Sequence, residues 1–275
     1  THGDLAPVGD QDLGDGCRGQ HGCQCMRMEP SEPLPSQPRG GWTVSHVAET
    51  GSTNADLLAA AAAGAPHRSV LRTDHQTAGR GRLDRRWDAP PGTNLLVSFL
   101  FRDAATEPDA GSPVELMRRI GIAAVDAVGA LAGAAGVAAR LKWPNDVLVD
   151  GAKLAGMLAQ RGDDVTVIGL GLNVGWAPDG AARLPDGTTP AAVLDALLDA
   201  FDAFATTAGA TAAGVHARYT ELLVTVGQRV RVELPGGTVL EGRATGVDHD
   251  GSLVVLDECA LTHRVAAGDV VHLRP

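Results

Sequence analysis

At Val226 the spacing of apolar residues changes, and that change limits how the chain can fold. Beyond it, Arg229-Val-Arg-Val-Glu-Leu234 alternates, Pro235-Gly236-Gly237 supplies a turn, and Val239 to Val247 alternates again. His249-Asp250-Gly251 turns the chain into Leu253 to Leu256, and Val270 to Leu273 closes the series. A period of two sends successive side chains to opposite faces of a strand. Four or five short strands in about fifty residues therefore predict a small barrel of their own.

Upstream the periods are mixed. Thr43 to Val47 alternates as a strand, and Ser52-Thr53-Asn54 offers capping side chains ahead of a helix over Ala55 to Ala63. Ser69 to Thr73 and Leu95 to Phe101 read as strands, with a long Gly, Arg and Pro loop from Asp74 to Gly92 between them. Pro113 to Ala135 has a helical apolar face at Leu116, Ile120, Ala124 and Leu131. Val137 to Lys142, Val147 to Val149 and Val165 to Val174 follow as strands, while Lys153 to Arg161 fits either strand or helix. Pro190 to Ala208 and Val215 to Leu223 read as helices. The expected organisation is an α+β body over residues 42–225 and a barrel over 226–275.

Residues 1–41 differ from both. They hold eight Gly and five Pro, and from the large aliphatic set only Leu5, Val8, Leu13 and Leu34. Such a stretch buries too little surface to offset its ordering entropy, so it is expected to be disordered. The sequence begins at Thr, which makes Met26 or Met28 a candidate start. Cys17, His21, Cys23 and Cys25 could gather a metal, but their spacing fits no paired Cys-x-x-Cys zinc pattern; a solvated tail is the plainer reading.

Charge and hydropathy exclude several classes. With 23 Lys plus Arg against 33 Asp plus Glu the net charge is −10, unlike a protein that coats nucleic acid. No run approaches the ~18 apolar residues of a membrane span, and no signal peptide is readable. Four cysteines without a disulfide-like pattern point to a reducing, cytoplasmic compartment.

Three segments carry chemistry. In Gly79-Arg-Gly-Arg-Leu-Asp-Arg-Arg-Trp87, glycines admit close backbone approach and arginines present planar forks for carboxylate or phosphate. This reads as an anion-binding loop that closes on its ligand; a solvated turn is the bland alternative, and a minor-groove arm a weaker one. In Lys142-Trp-Pro-Asn-Asp146 a strand delivers a lysine between residues expected to be buried, where an ammonium needs an anionic partner. Asn145 and Asp146 suit a turn, or a hydrated cation. In Gly169-Leu-Gly-Leu-Asn173 two strand glycines let a flat ligand lie against the backbone, with Asn173 as an amide reader. The dinucleotide fingerprint fails there because Trp176-Ala-Pro178 stands where a helix should start. A Gly-Lys-Ser/Thr phosphate loop, a Gly-x-Ser-x-Gly elbow and a His-Glu-x-x-His helix are all missing from the sequence.

Taken in order with Ser52-Thr53-Asn54, Gln76 and Lys153-Leu-Ala-Gly156, these motifs resemble the biotin protein ligases, from about Val44 to Arg274. The resemblance implies a mixed sheet with flanking helices, similar to the class II aminoacyl-tRNA synthetase core, and a C-terminal SH3-like barrel. It implies that biotin is activated with ATP and Mg²⁺ to biotinyl-5′-AMP, then transferred to a lysine of a biotin carboxyl carrier protein domain. By similarity, Lys142 and Arg80 are catalytic. Ser52, Thr53, Asn54, Gln76, Gly81, Arg82 and Trp87 join them around biotin, and Arg82, Arg85, Lys153 and Asn173 face the nucleotide. Asp84 departs from the commoner glycine at its position, and an acid there could pair with Arg82 or Arg85.

Some relatives carry an N-terminal winged helix that represses transcription. Residues 1–41 lack helical periodicity, so a ligase-only type without nucleic-acid or membrane partners is expected; the oligomeric state is left open. The rival readings are a lipoate or octanoate transferase on a similar fold, a biotin-responsive DNA repressor, and an adaptor that uses only the barrel.

Overall fold

The structure, a computed structural model, describes residues 36–83, 85–103, 111–132, 138–234 and 236–273. Eight strands form one sheet: β1 (Ser36–Arg39), β2 (Trp42–Thr50), β3 (Ser69–Gln76), β4 (Leu95–Arg102), β5 (Ala139–Lys142), β6 (Asp146–Val149), β7 (Ala152–Arg161) and β8 (Val165–Leu172). Their order is β1-β2-β3-β4-β8-β7-β6-β5. Only β2 and β3 are parallel, with helix α1 (Thr53–Ala62) as the crossover between them. Helices α2 (Pro113–Ala132), α3 (Pro190–Ala205) and α4 (Ala212–Leu222) complete this part. A second sheet, β12-β11-β10-β9-β13, joins β9 (Arg229–Glu233), β10 (Val239–Val247), β11 (Leu253–Leu256), β12 (Thr262–Val265) and β13 (Asp269–His272), every pair antiparallel. No helix among the described residues is long and apolar enough to cross a membrane.

Strand alternation divides the large sheet into two differently used faces. On β4 and β8, Val97, Phe99, Phe101, Ile168, Leu170 and Leu172 join the main core with residues of α2 and α3. The intervening Leu100, Val165 and Val167 meet Leu57 and Ala61 of α1 on the opposite face. Further along that face β8 carries only glycine, Gly169 opposite Ser98 and Gly171 opposite Leu96. The sequence leaves that area without bulk, and a cavity takes the space. At the far end Trp42 anchors the main core, edge-on to Phe99, Phe101 and Phe201 at 5.2–6.0 Å.

Several expectations need correction. Ser36–Arg39 is a strand, although residues 1–41 were expected to be disordered throughout. Gly40 and Gly41, at φ +55° and +88°, make a two-residue hairpin turn that pairs Arg39 with Trp42, and Arg39 also bridges to Asp195 and Asp199 of α3. Backbone pairing and surface charge hold β1, so apolar content did not reveal it. Lys153 to Arg161, open between strand and helix, belongs to a strand, Ala152–Arg161, paired on both sides. Thr262–Val265 is a strand that alternation alone did not single out. Residues 1–35, including the cysteine cluster and the candidate starts, lie outside the described residues, as do Asp84, residues 133–137 and Pro235.

The barrel is fastened to the body through the turn between β10 and β11. Arg118, buried in α2, donates to the carbonyls of Asp248 and His249 at 2.7 and 3.1 Å, and Trp143 Nε1 donates to the carbonyl of Gly251 at 2.8 Å. His216 of α4 stacks on His249 at 4.1 Å, and its Nδ1 is buried without a hydrogen-bond partner. Burial, then Arg118 and His249, push the His216 pKa below its ordinary 6.5, against an opposing pull from Asp248. His272 is shifted the same way, by burial and then by Lys142.

A depressed histidine pKa means that the unfolded chain takes up protons while the folded chain still resists them. Stability is therefore complete above 6.5 and declines as pH falls below it. The melting temperature is expected to drop between about pH 7 and about pH 5.5, with His216→Gln removing part of the slope. A flat profile in both proteins would refute this.

Candidate active site

The cavity on the α1 face of the large sheet has a volume of about 460 Å³, a size suited to a small-molecule ligand. All twelve residues singled out from the sequence line it: Ser52, Thr53, Asn54, Gln76, Arg80, Gly81, Arg82, Arg85, Trp87, Lys142, Lys153 and Asn173.

One end is a polar cluster at the start of α1. Ser52 is the N-cap residue, but its side chain makes no capping bond, so the cap expected from sequence is not formed by that hydroxyl. Thr53 turns inward instead and donates from backbone N and hydroxyl to Gln76 Oε1 at 2.9 and 3.1 Å. Asn54 Nδ2 donates to Gln160 Oε1 at 2.8 Å and to the Leu158 carbonyl at 3.2 Å. Ser98 Oγ lies 2.7 Å from Thr53 Oγ1 and 2.6 Å from Asn54 Oδ1, with one proton to share. These bonds fix Thr53, Asn54, Gln76 and Ser98 while leaving Gln76 Nε2 as a donor, the Ser52 hydroxyl as a donor or acceptor, and one lone pair of Asn54 Oδ1. Both hydrogen-bonding senses are thus presented from a rigid, prepaid arrangement.

Strand β8 sets the direction of the cavity. Gly169 lies against Asn54 so closely that a Cβ there would collide with its carboxamide. Two residues on, about 7 Å along the strand, Gly171 carries the indole of Trp87, which also covers Gly156 of β7. Trp87 Nε1 is buried and has no hydrogen-bond partner among the described residues. Two residues further, Asn173 donates to the Ala182 carbonyl at 2.9 Å and accepts from Asn94 Nδ2 at 3.3 Å. Asn173 therefore braces its own loop and keeps one Oδ1 lone pair for a ligand.

The cations divide into two groups. Lys142 ends β5 between buried Leu141 and Trp143. Its position is fixed by backbone bonds on either side, Val224 N–H to the Leu141 carbonyl at 2.8 Å and Trp143 N–H to Thr225 Oγ1 at 3.0 Å. Its ammonium and the guanidinium of Arg80 make no ion pair or side-chain hydrogen bond among the described residues. The others are engaged. Lys153 Nζ pairs with Asp146 Oδ1 at 2.6 Å and sits 5.6 Å from the Trp87 ring centre. Arg82 Nη1 donates to the Gly268 carbonyl at 3.3 Å and to Asn145 Oδ1 at 3.4 Å, and Arg85 pairs with Asp269. Burial lowers the Arg82 pKa against the pull of Asp269 and Asp146, but a guanidinium stays charged at any physiological pH.

The arginine loop is a narrow hairpin rather than an open coil. Trp87 N–H donates to the Gly79 carbonyl at 3.1 Å, Gly81 N–H to that of Arg85 at 2.6 Å, and Arg80 bridges Arg86. A Cβ at Gly79 would collide with the Trp87 carbonyl, so the close approach read from the glycines is used inside the loop itself. Asn145 bonds across to β7 instead of to its own turn: its Nδ2 donates to the Met157 carbonyl at 2.7 Å, and its Oδ1 accepts from Arg82.

Sequence reasoning missed four supporting residues. Ser98 and Asn94 are buried polar groups on and beside an apolar strand, which was an available signal. Gln160 and the barrel residue Asp269 gave none, because only the folded chain brings Gln160 to Asn54 and Asp269 to the cavity.

Solved structures share this fold. The chain superposes on biotin protein ligase from Aquifex aeolicus in complex with biotin and ATP with a TM-score of 0.65 at 22% identity, covering 84% of this chain and 99% of that one. For the Leishmania major biotin protein ligase in complex with biotinyl-5-AMP the TM-score is 0.57 at 24% identity, over 82% and 98%. These likenesses define the fold class, an α+β mixed sheet with flanking helices plus a small C-terminal β domain.

Sequence comparison is more specific. Residues 51–175 match the biotin/lipoate A/B protein ligase family, and residues 225–273 match the biotin protein ligase C terminal domain. The biotin--[acetyl-CoA-carboxylase] ligase of Mycobacterium tuberculosis is 41% identical over 244 residues, 85% of this chain and 91% of that protein. The corresponding ligase of Paracoccus denitrificans is 38% identical over 154 residues, 54% of this chain and 61% of that protein. The chain belongs to the biotin protein ligase family.

Proposed function

We propose that this chain joins biotin to a carboxylase carrier domain in two steps. The biotin carboxylate attacks the α-phosphorus of ATP, supplied as its magnesium complex, and pyrophosphate leaves. The ε-amine of a carrier lysine then attacks the acyl carbon of the mixed anhydride, and AMP leaves with the electron pair of the broken acyl–oxygen bond.

One observation carries this reading: Lys142 and Arg80, two cations without an ion pair among the described residues, line the same cavity as a rigid cluster of donors and acceptors. A cyclic urea offers one carbonyl and two N–H groups, which match the free groups of Ser52, Asn54 and Gln76, with Thr53 holding Gln76 in place. Trp87 on Gly171 walls the apolar middle of the ligand. Lys142 and Arg80 offset the repulsion between carboxylate and triphosphate and the charge growing on the α-phosphate. Asn173 accepts from an exocyclic amino group of the base, and Lys153 lies on the same side. Arg82 and Arg85 hold the loop beside the phosphates, with Gly81 admitting their close approach. Among the described residues no group of three His, Cys, Asp or Glu is placed to hold a metal.

A lipoyl or octanoyl ligand is the second reading, since the matched family includes lipoate enzymes. Its head has no urea, and binding it would strand the polar cluster unpaired, a costly mismatch. Incubation with MgATP, a carrier domain, and biotin or lipoate is the test. ATP-dependent transfer of biotin, favoured at least ~100-fold over lipoate, is expected from that mismatch. Equal use of the two acids, or no transfer, would overturn the proposal.

A further inference from the structure

We propose that Asp269, on strand β13 of the barrel, is a positioning residue that latches the arginine loop across the cavity mouth. The inference rests on the ligase reading and assigns the barrel a part in retaining the activated intermediate.

Two loop arginines reach across to β13 and the residue before it. Arg85 pairs with Asp269, and Arg82 Nη1 donates to the Gly268 carbonyl at 3.3 Å. Asp269 and its neighbours Val270 and Val271 also line the cavity, so β13 is one of its walls. That wall has a fixed position. Asp269 to His272 pair in register with Glu233 to Val230 of β9, and a side chain at Gly268 would press against Val232 and the Glu233 carbonyl. On the other side of the cavity, Thr225 Oγ1 accepts from Trp143 N–H and lies 3.3 Å from His272 Nε2, which ties the Lys142 corner to the end of β13.

The loop thus spans between the body, where its two ends leave β3 and approach β4, and a rigid strand of the barrel. Arg82 and Arg85 are engaged in that span, while Arg80, five residues before Arg85, makes no ion pair among the described residues and lines the cavity. A closed loop keeps water from a reactive acyl phosphate until the carrier lysine arrives. Because Arg85 is largely exposed, with Asp269 only a quarter so, the pair is weak enough to open during turnover.

The test uses the full-length protein loaded with labelled biotinyl-adenylate from biotin and MgATP, then chased with unlabelled biotin in the absence of carrier. Asp269→Asn is expected to lose the intermediate about fivefold faster than the parent, the scale of an exposed ion pair. Trypsin should also cut within residues 79–88 sooner. Asp269→Glu should restore retention to within about twofold, and the reversed pair Arg85→Glu with Asp269→Arg should recover most of it, results that a merely structural role for Asp269 would not give. Arg85→Gln supplies the same measurement should Asp269→Asn fold poorly. Unchanged retention in Asp269→Asn or Arg85→Gln would overturn the latch, as would fast loss that Asp269→Glu does not repair. A parent protein that forms no adenylate would instead count against the ligase reading.

Discussion

Lys142→Ala is expected to lower the rate of biotinyl-adenylate formation by ~100-fold or more in a single-turnover assay at saturating biotin and ATP, the size of effect seen when one preorganised charge contact is lost. Three features make this effect large. The ammonium makes no ion pair among the described residues, so no such pair has to break before it meets ligand. Its backbone is held on both sides, by Val224 and by Thr225, so little reorganisation accompanies the reaction. It also stands at the edge of a recessed cavity, where water screens charge less than at an open surface. Lys142→Arg would not substitute, because a broad planar fork cannot occupy the place of a compact point charge. Near-normal adenylate yield at early times in Lys142→Ala would remove this residue from the mechanism.

Gly169→Ala is expected to weaken biotin binding by about 30-fold or more, measured by calorimetry in the absence of ATP. The added methyl would occupy the space of the Asn54 carboxamide. Asn54 cannot yield without losing its bonds to Gln160 and Leu158 and its contact with Ser98. Leaving one or two such groups unsatisfied costs about 1–3 kcal/mol, and 1.4 kcal/mol is tenfold in affinity. Nucleotide affinity should change much less, because Asn173 lies four residues on, just past the end of β8. Equal weakening of both ligands would mean that the sheet had distorted and that Asn54 is not the specific casualty.

Most of the body was legible because its signals are local. The helix α2 face, the β4 run and the barrel strands β10 and β11 follow from apolar period and turn residues alone. The site residues were legible for another reason: five short motifs fell in the order of a known family. Physical reading by itself left each segment with a bland alternative, such as a surface lysine at 142 or a solvated turn at 79–87. What stayed hidden depends on distance in sequence. Strand β1 is held by an edge and by α3 more than 150 residues away, and Asp269 meets Arg85 across 184 residues. Ser52-Thr53-Asn54 shows the opposite failure. Their identity predicted a helix cap, yet Thr53 and Asn54 spend their polar groups on the cavity, where a supporting network outbids local propensity.

Trp143 carries one further implication. It is the immediate neighbour of Lys142, and its indole hangs from a carbonyl of the barrel turn at Gly251. The two parts of the chain are thus not separable modules. Warming that frees the smaller part would slacken the larger one at its most sensitive corner, so catalytic endurance is set by whichever half melts first.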